Sequence, residues 1–338
     1  MSNEKKKSDT VNPIFIVGAP RSGTSLLRVM LNRHPNIGLC DETYFFYYVY
    51  HRQKNFGDLQ NLENRRIVIE RYLETGRIRR LGLDLDALKQ FLLEEATDYE
   101  KLFIAFLKFY AQSKGKNRYG EKTPQHAFEA EIISRIYPFC RLIHIVRDAR
   151  DVAASLKRMP WGSKSVAANA RLWVKSVESA ELCKDRENFL RVKYETLVSD
   201  SEAELRRICK FISEPFDKKM LEAETKEKKN LDWWFQRAQK SVNTNRVEKW
   251  RDELTDEEVA IVEWIAGDTM ERMGYSATAE TPTTTAKAAA IAHENLTAAV
   301  SKITNLPRLW YFWIQPQKLA EEEARIDHLN SKNKNSNK

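Results

Sequence analysis

Nowhere in its 338 residues does this chain hold an apolar run approaching the roughly 18 residues of a membrane-spanning helix, so no transmembrane segment is expected. Its first residues, MSNEKKKSDTVNP, carry charge but no apolar stretch of the kind a signal peptide needs. A cytoplasmic location is the default expectation. Cysteine is scarce: Cys40, Cys140, Cys183 and Cys209 lie far apart and form no CxxC pair. That argues against a zinc site and against a disulfide framework, and predicts buried free thiols.

What is present suits a folded α/β protein. The 42% hydrophobic content supports a sizeable core, in one large domain or two smaller ones. The formal charge of +8 and pI near 9.1 predict an anionic ligand or partner. The basic residues are dispersed among 48 acidic ones, so nucleic acid is not the expected partner. A nucleotide carrying several anionic groups explains the balance as well.

The stretch that organises the chain is Ile14 to Ser25, IFIVGAPRSGTS. Its apolar run stops at Gly18, and an amphipathic segment begins just after Gly23, Thr24 and Ser25. This reads as a buried strand, a tight turn and a helix start, whose backbone N–H groups form an anion site. The spacing Gly18-x4-Gly23-x-Ser25 is that of a Walker A loop, but Thr24 stands where the lysine should be. The basic residue is Arg21, inside the loop. The expected ligand is a phosphate group from something other than ATP.

Further along, RLIHIV (141–146) and Phe189 to Val192 read as buried strands, and Tyr119 to Thr123 as a short segment before a helix opening at Pro124. Asn36 to Phe46 reads as a loop. Residues 60–112 read as successive amphipathic helices, an insertion expected to cover the loop site and shape an acceptor pocket. Thr196 to Ile212 reads as one helix, and Thr255 with Glu258 as a capping box opening another. Strands alternating with helices imply a parallel sheet wrapped by helices. The expected organisation is a disordered N-terminus (1–12), a main domain (13–275), a Thr/Ala-rich linker (276–290), an extension (291–330) bearing the cluster Trp310 to Trp313, and a disordered tail (331–338).

GAPRSGTS resembles the 5′-phosphosulfate loop of sulfotransferases, which use 3′-phosphoadenosine 5′-phosphosulfate (PAPS). The resemblance implies a three-layer, P-loop NTPase-like α/β fold with a parallel sheet, and covers roughly residues 13 to 275. It implies that Gly18, Arg21, Ser22, Gly23, Thr24 and Ser25 hold the 5′-phosphate. Glu42 lies 21 residues after Arg21 and precedes a threonine, as the catalytic glutamate of tyrosylprotein sulfotransferases does, which makes it the general base. Adjacent Asp41 is the substitute. Lys122 in GEKTP matches the family's lysine on the leaving-group oxygen. VRDARDVAAS resembles the 3′-phosphate motif, with Arg147 and Ser155 as ligands. KYETLV resembles the strand end whose tyrosine, here Tyr194, lies near the adenine nucleotide. RVEKWR resembles the basic closing segment, where Lys249, or more weakly Ser241, would touch the 3′-phosphate.

On this reading no metal is needed, because cationic side chains neutralise the transferring group. Two departures count against protein tyrosine as acceptor. The family's substrate-binding arginine is replaced around Tyr44, and its luminal cysteines have no counterparts. The acceptor stays open among glycan, lipid, metabolite and peptide, and assembly as a homodimer stays open too. The rival readings are a P-loop kinase or NTPase, which would want a lysine at position 24 and a magnesium-binding acid such as Asp148, and a non-catalytic nucleotide binder.

Overall fold

The computed structural model describes residues 12–222 and 244–304, with the side chains of 297–304 excepted. Ser241, the aromatic cluster at 310–313, most of the N-terminal stretch and the tail therefore lie outside the described residues. Among the described residues no helix is long and apolar enough to cross a membrane.

Five parallel strands form one sheet in the order β2-β3-β1-β4-β5. They are β1 (Ile14–Val17), β2 (Ile37–Asp41), β3 (Arg118–Lys122), β4 (Arg141–Val146) and β5 (Phe189–Lys193). β1 sits at the centre because both of its faces are apolar. Phe15 and Val17 join the core built with the insertion helices, while Ile14 and Ile16 join the core on the opposite face. A strand buried on both sides reads as a continuous apolar run, which is what IFIV is. The chain lays β2 and β3 on one side of β1, then β4 and β5 on the other. Ligand crevices in open sheets fall at such a reversal, beyond the carboxyl ends of the strands.

The elements that matter for the site follow from this frame. Helix α1 (Thr24–Asn32) leaves β1 through the glycine loop. The insertion supplies α2 (Leu62–Leu73), α3 (Gly76–Arg79), α4 (Leu85–Glu95) and α5 (Tyr99–Ser113), which pack with Phe45, Phe46 and β1 in one core. Helix α6 (Ala130–Ile136) precedes β4, α7 (Ala149–Arg158) follows it, and α8 (Val166–Glu181) leads to β5. Then come α9 (Tyr194–Ser199), α10 (Ser201–Ile212), α11 (Trp250–Glu253), α12 (Asp256–Arg272) and α13 (Thr284–Thr304).

Four local expectations differ from the structure or are refined by it. The stretch read as a loop from Asn36 contains strand β2, a five-residue run interrupted by Gly38. That glycine is required by close approach: a Cβ there would meet the Ala111 Cα at 2.9 Å. The helix opened by Pro124 is of the 3-10 type (Pro124–Glu129), and the α-helix begins only at Ala130. The segment read as one helix to Ile212 is two, because Asp200 breaks the first and its side chain caps the second by accepting from Ala203 N. The supposed linker is half helix: the alanines of 286–290 are strong helix formers and lie within α13. That helix docks through Arg171 Nε to Glu294 Oε2 at 3.0 Å, and through Ala286 in the core shared with α8 and α12. The preceding chain is held by the Glu263 carboxylate, which accepts from the backbone N of Thr278 and Ala279.

Candidate active site

The glycine loop is built as an open cradle. Arg21 and Gly23 both take left-handed backbone angles, φ +73° and +98°. Gly23 cannot be replaced without movement, since a Cβ would meet the Tyr194 ring at 2.4 Å. It caps α1 with no side chain, and the first turn of α1 has no acidic residue, so its N–H groups keep their pull on an anion. Ser22 is buried and its hydroxyl has no hydrogen-bond partner among the described residues. Such a group is expected to find one when an oxyanion binds. Arg21 Nε donates to Ser155 Oγ at 3.1 Å, joining the loop to α7.

Arg147, at the exit of β4, is buried in the same corner. It donates to the Arg21 carbonyl at 3.2 Å, pairs with Asp151 at 3.2 Å and lies over the Tyr194 ring at 4.5 Å. Its Nε is buried without a hydrogen-bond partner among the described residues. Asp151 also binds the segment after residue 243, accepting from the backbone N of Glu248 at 3.1 Å and of Trp250 at 2.9 Å. Burial raises the Asp151 carboxyl above its ordinary range, against the lowering effect of Arg147. This arrangement brings Arg246, not Lys249, to the corner: Arg147 Nη2 donates to the Arg246 carbonyl at 2.5 Å. Lys249 is half-exposed and pairs with Asp252 at 2.5 Å, so the structure does not join it to the other candidates.

At the other end of the sheet, Glu42 and Lys122 meet. Lys122, the last residue of β3, is fully buried. Its Nζ lies 2.9 Å from Glu42 Oε1 and 2.7 Å from Asp41 Oδ1. A buried ammonium without counter-charge would cost several kcal/mol, and the two carboxylates remove that cost. Asp41 is occupied on both oxygens, because Arg28 of α1 donates to Oδ2 at 3.1 Å. Burial works to raise its carboxyl, but Arg28 and Lys122 hold it well below the ordinary carboxylate range. Glu42 Oε2 accepts from Arg77 Nη1 at 2.9 Å and from Tyr44 OH at 3.1 Å. Gln125 Nε2 donates to the same Tyr44 oxygen at 2.5 Å. Burial and the nearby Glu42 charge push the Tyr44 phenol well up, so it stays a donor.

Behind these residues lies a buried clamp. The Glu121 carboxylate accepts from Thr43 Oγ1 at 2.5 Å and from Thr123 Oγ1 at 2.9 Å, and its other oxygen pairs with His126 Nδ1. Thr43 follows Glu42 and Thr123 follows Lys122, so one carboxylate fixes the two neighbours relative to each other.

The register aligns the strand ends, with Ile16 beside Lys122 and Asp41 beside Lys122. Across the sheet the order is Glu42, Lys122, the glycine loop, Arg147 and Tyr194. β2 and β4 stand three strands apart, roughly 14 Å at about 4.8 Å per spacing. Sequence reading missed Arg77, Arg28 and Gln125, whereas a salt bridge of Arg147 with Asp148 or Asp151 was legible from their nearness in the chain, and the structure forms the one with Asp151.

Comparison with known proteins finds similarity in sequence and in fold. The profile of the Sulfotransferase family matches residues 13–218. Among curated relatives, protein-tyrosine sulfotransferase A of Caenorhabditis elegans is 24% identical over 282 residues, covering 80% of this chain and 68% of that protein. Among solved structures, the sulfotransferase domain of the Synechococcus PCC 7002 olefin synthase superposes with a TM-score of 0.52 at 25% identity, over 77% of this chain and 98% of that domain. The sulfotransferase domain from the curacin biosynthetic pathway shares the fold, with a TM-score of 0.51 at 19% identity over 80% and 99% of the two chains.

Proposed function

The chain belongs to the sulfotransferase family, and from that premise we propose that it transfers a sulfuryl group from PAPS to a hydroxyl or amine by in-line displacement. The observation that carries this reading is the contact of Glu42 with the fully buried Lys122 at 2.9 Å, beside the glycine loop. In the proposed step the acceptor oxygen or nitrogen forms a bond to sulfur while the bond from sulfur to the 5′-phosphate oxygen breaks. Glu42 takes the acceptor proton. Lys122, on the strand next to β1, neutralises charge on the departing oxygen, and adenosine 3′,5′-bisphosphate leaves. Like phosphoryl transfer, this asks the protein for position and charge rather than covalent chemistry.

Arg21, the N–H groups of the loop and Ser22, Thr24 and Ser25 would hold the 5′-phosphate. Arg147 and Ser155 would hold the 3′-phosphate, with the Tyr194 ring alongside. The orphaned Ser22 hydroxyl and Arg147 Nε are suited to these oxyanions. Asp41 is a poor candidate for the base, because Lys122 and Arg28 occupy its two oxygens and hold its carboxyl well below the ordinary carboxylate range. A magnesium-dependent kinase is disfavoured by Thr24 and by Asp148, whose two oxygens carry the Arg150 guanidinium at 3.0 and 2.6 Å. The acceptor is proposed to be bulky with some apolar surface, since Tyr44 and the insertion, through Arg77, border Glu42.

The reading is tested by incubating the protein with sulfur-35-labelled PAPS and a panel of phenols, alcohols, glycans and peptides. Glu42→Gln is expected to lower kcat by roughly 100-fold or more with donor affinity retained. Wild-type turnover in that variant would remove Glu42 from the role.

A further inference from the structure

Resting on the reading of Glu42 as the base, we infer that Arg77, supplied by the insertion, is a positioning residue that fills one oxygen of Glu42 and leaves the other to take the acceptor proton. A carboxylate oxygen offers two lone pairs. Oε2 has both engaged, by Arg77 Nη1 at 2.9 Å and Tyr44 OH at 3.1 Å. Oε1 accepts from Lys122 alone among the described residues. The open lone pair therefore lies on Oε1, next to the ammonium that faces the leaving group. Proton acceptance and charge neutralisation are thereby brought to the same side of the base.

Arg77 is itself fixed for this work. Its guanidinium lies 3.8 Å from the Tyr44 ring centroid, close enough for a stacked cation–π contact. Tyr44 is immobilised in turn by Gln125 and by its burial. Ile78, the next residue of α3, is fully buried in the insertion core and anchors the helix. Thus α3, of only four residues, has its arginine on the base and its isoleucine in the core. A lysine could restore the charge but not the flat stack with one N–H aimed at Oε2.

The experiment compares the full chain with Arg77→Met and Arg77→Lys. Calorimetric titration with adenosine 3′,5′-bisphosphate reports the donor site, where Arg77 makes no contact, and affinity within twofold of wild type is expected. PAPS consumption is followed with the acceptor chosen by screening, and with water as acceptor. kcat is expected to fall roughly 10- to 100-fold in Arg77→Met with KM for PAPS unchanged, and to recover in part in Arg77→Lys. Independently of any acceptor, Glu42 is labelled with a water-soluble carbodiimide and glycine ethyl ester and mapped by mass spectrometry. Freed of its guanidinium, Glu42 is expected to label several-fold faster in Arg77→Met. Labelling at the wild-type rate, or unchanged kcat, would overturn the inference. Failure of wild type to bind the bisphosphate would instead strike the donor assignment, and full turnover by Glu42→Gln would strike the base.

Discussion

Lys122 concentrates the energetics of the site in one side chain. Its ammonium is out of water and is kept there by Asp41 and Glu42. Lys122→Met would leave two partly buried carboxylates without the ammonium between them, so both stability and function should suffer. The expected result is a thermal midpoint lowered by several degrees together with a loss of turnover of 100-fold or more, read by calorimetry and by PAPS consumption. Lys122 and Glu42 were legible as candidates because each sits in a short motif, GEKTP and DET. Arg77 was not, since it lies 35 residues from Glu42 in an otherwise ordinary basic stretch, GRIRR, and only the packing of the insertion carries it back. Lys249 shows the converse. It stands in a basic motif, yet the docking of Trp250 and Glu248 on Asp151 turns it toward Asp252.

At the scale of elements, the glycine loop and α9 form one unit. Gly23→Ala would drive a methyl into the Tyr194 ring, so bisphosphate affinity is expected to fall tenfold or more while the helices persist by circular dichroism. Unchanged affinity would mean that the ring does not stand against the loop. A second unit joins β4, β5 and α8 through Glu181, which accepts from His144 Nδ1 at 3.0 Å and Arg191 Nε at 2.9 Å. Burial works to raise the Glu181 carboxyl, but hydrogen bonds from His144 and Arg191 bring it down from 4.5 to about 2. A depressed carboxyl contributes stability that is full above its unfolded value and is lost as pH falls toward the folded one. The denaturant midpoint should therefore drop between about pH 4.5 and about pH 2, and the drop should be smaller in Glu181→Gln. Strand β2 was hidden in the sequence because Gly38 interrupts its pattern and because an edge strand owes its place to β3 rather than to its own residues.

At the scale of the whole molecule, the carboxyl edge of the sheet brings together residues far apart in sequence, its strand ends standing in the order β2, β3, β1, β4 and β5. The central strand and the loop after it were legible because strand, glycines and helix start are contiguous in the chain. The motif from Arg147 to Ser155 was legible for the same reason. What could not be read was how far apart the two halves stand, which depends on the placement of β1 and β3 between β2 and β4. On the function proposed above, this edge binds a nucleotide bearing both 5′- and 3′-phosphates without the help of magnesium. The most direct test is calorimetric titration of the protein with adenosine 3′,5′-bisphosphate in the presence of EDTA, with ATP and magnesium as the competitor. Tight binding that persists in EDTA and is lost in Arg147→Ala is the predicted result. Preference for ATP with magnesium, or binding that Arg147→Ala leaves intact, would contradict it.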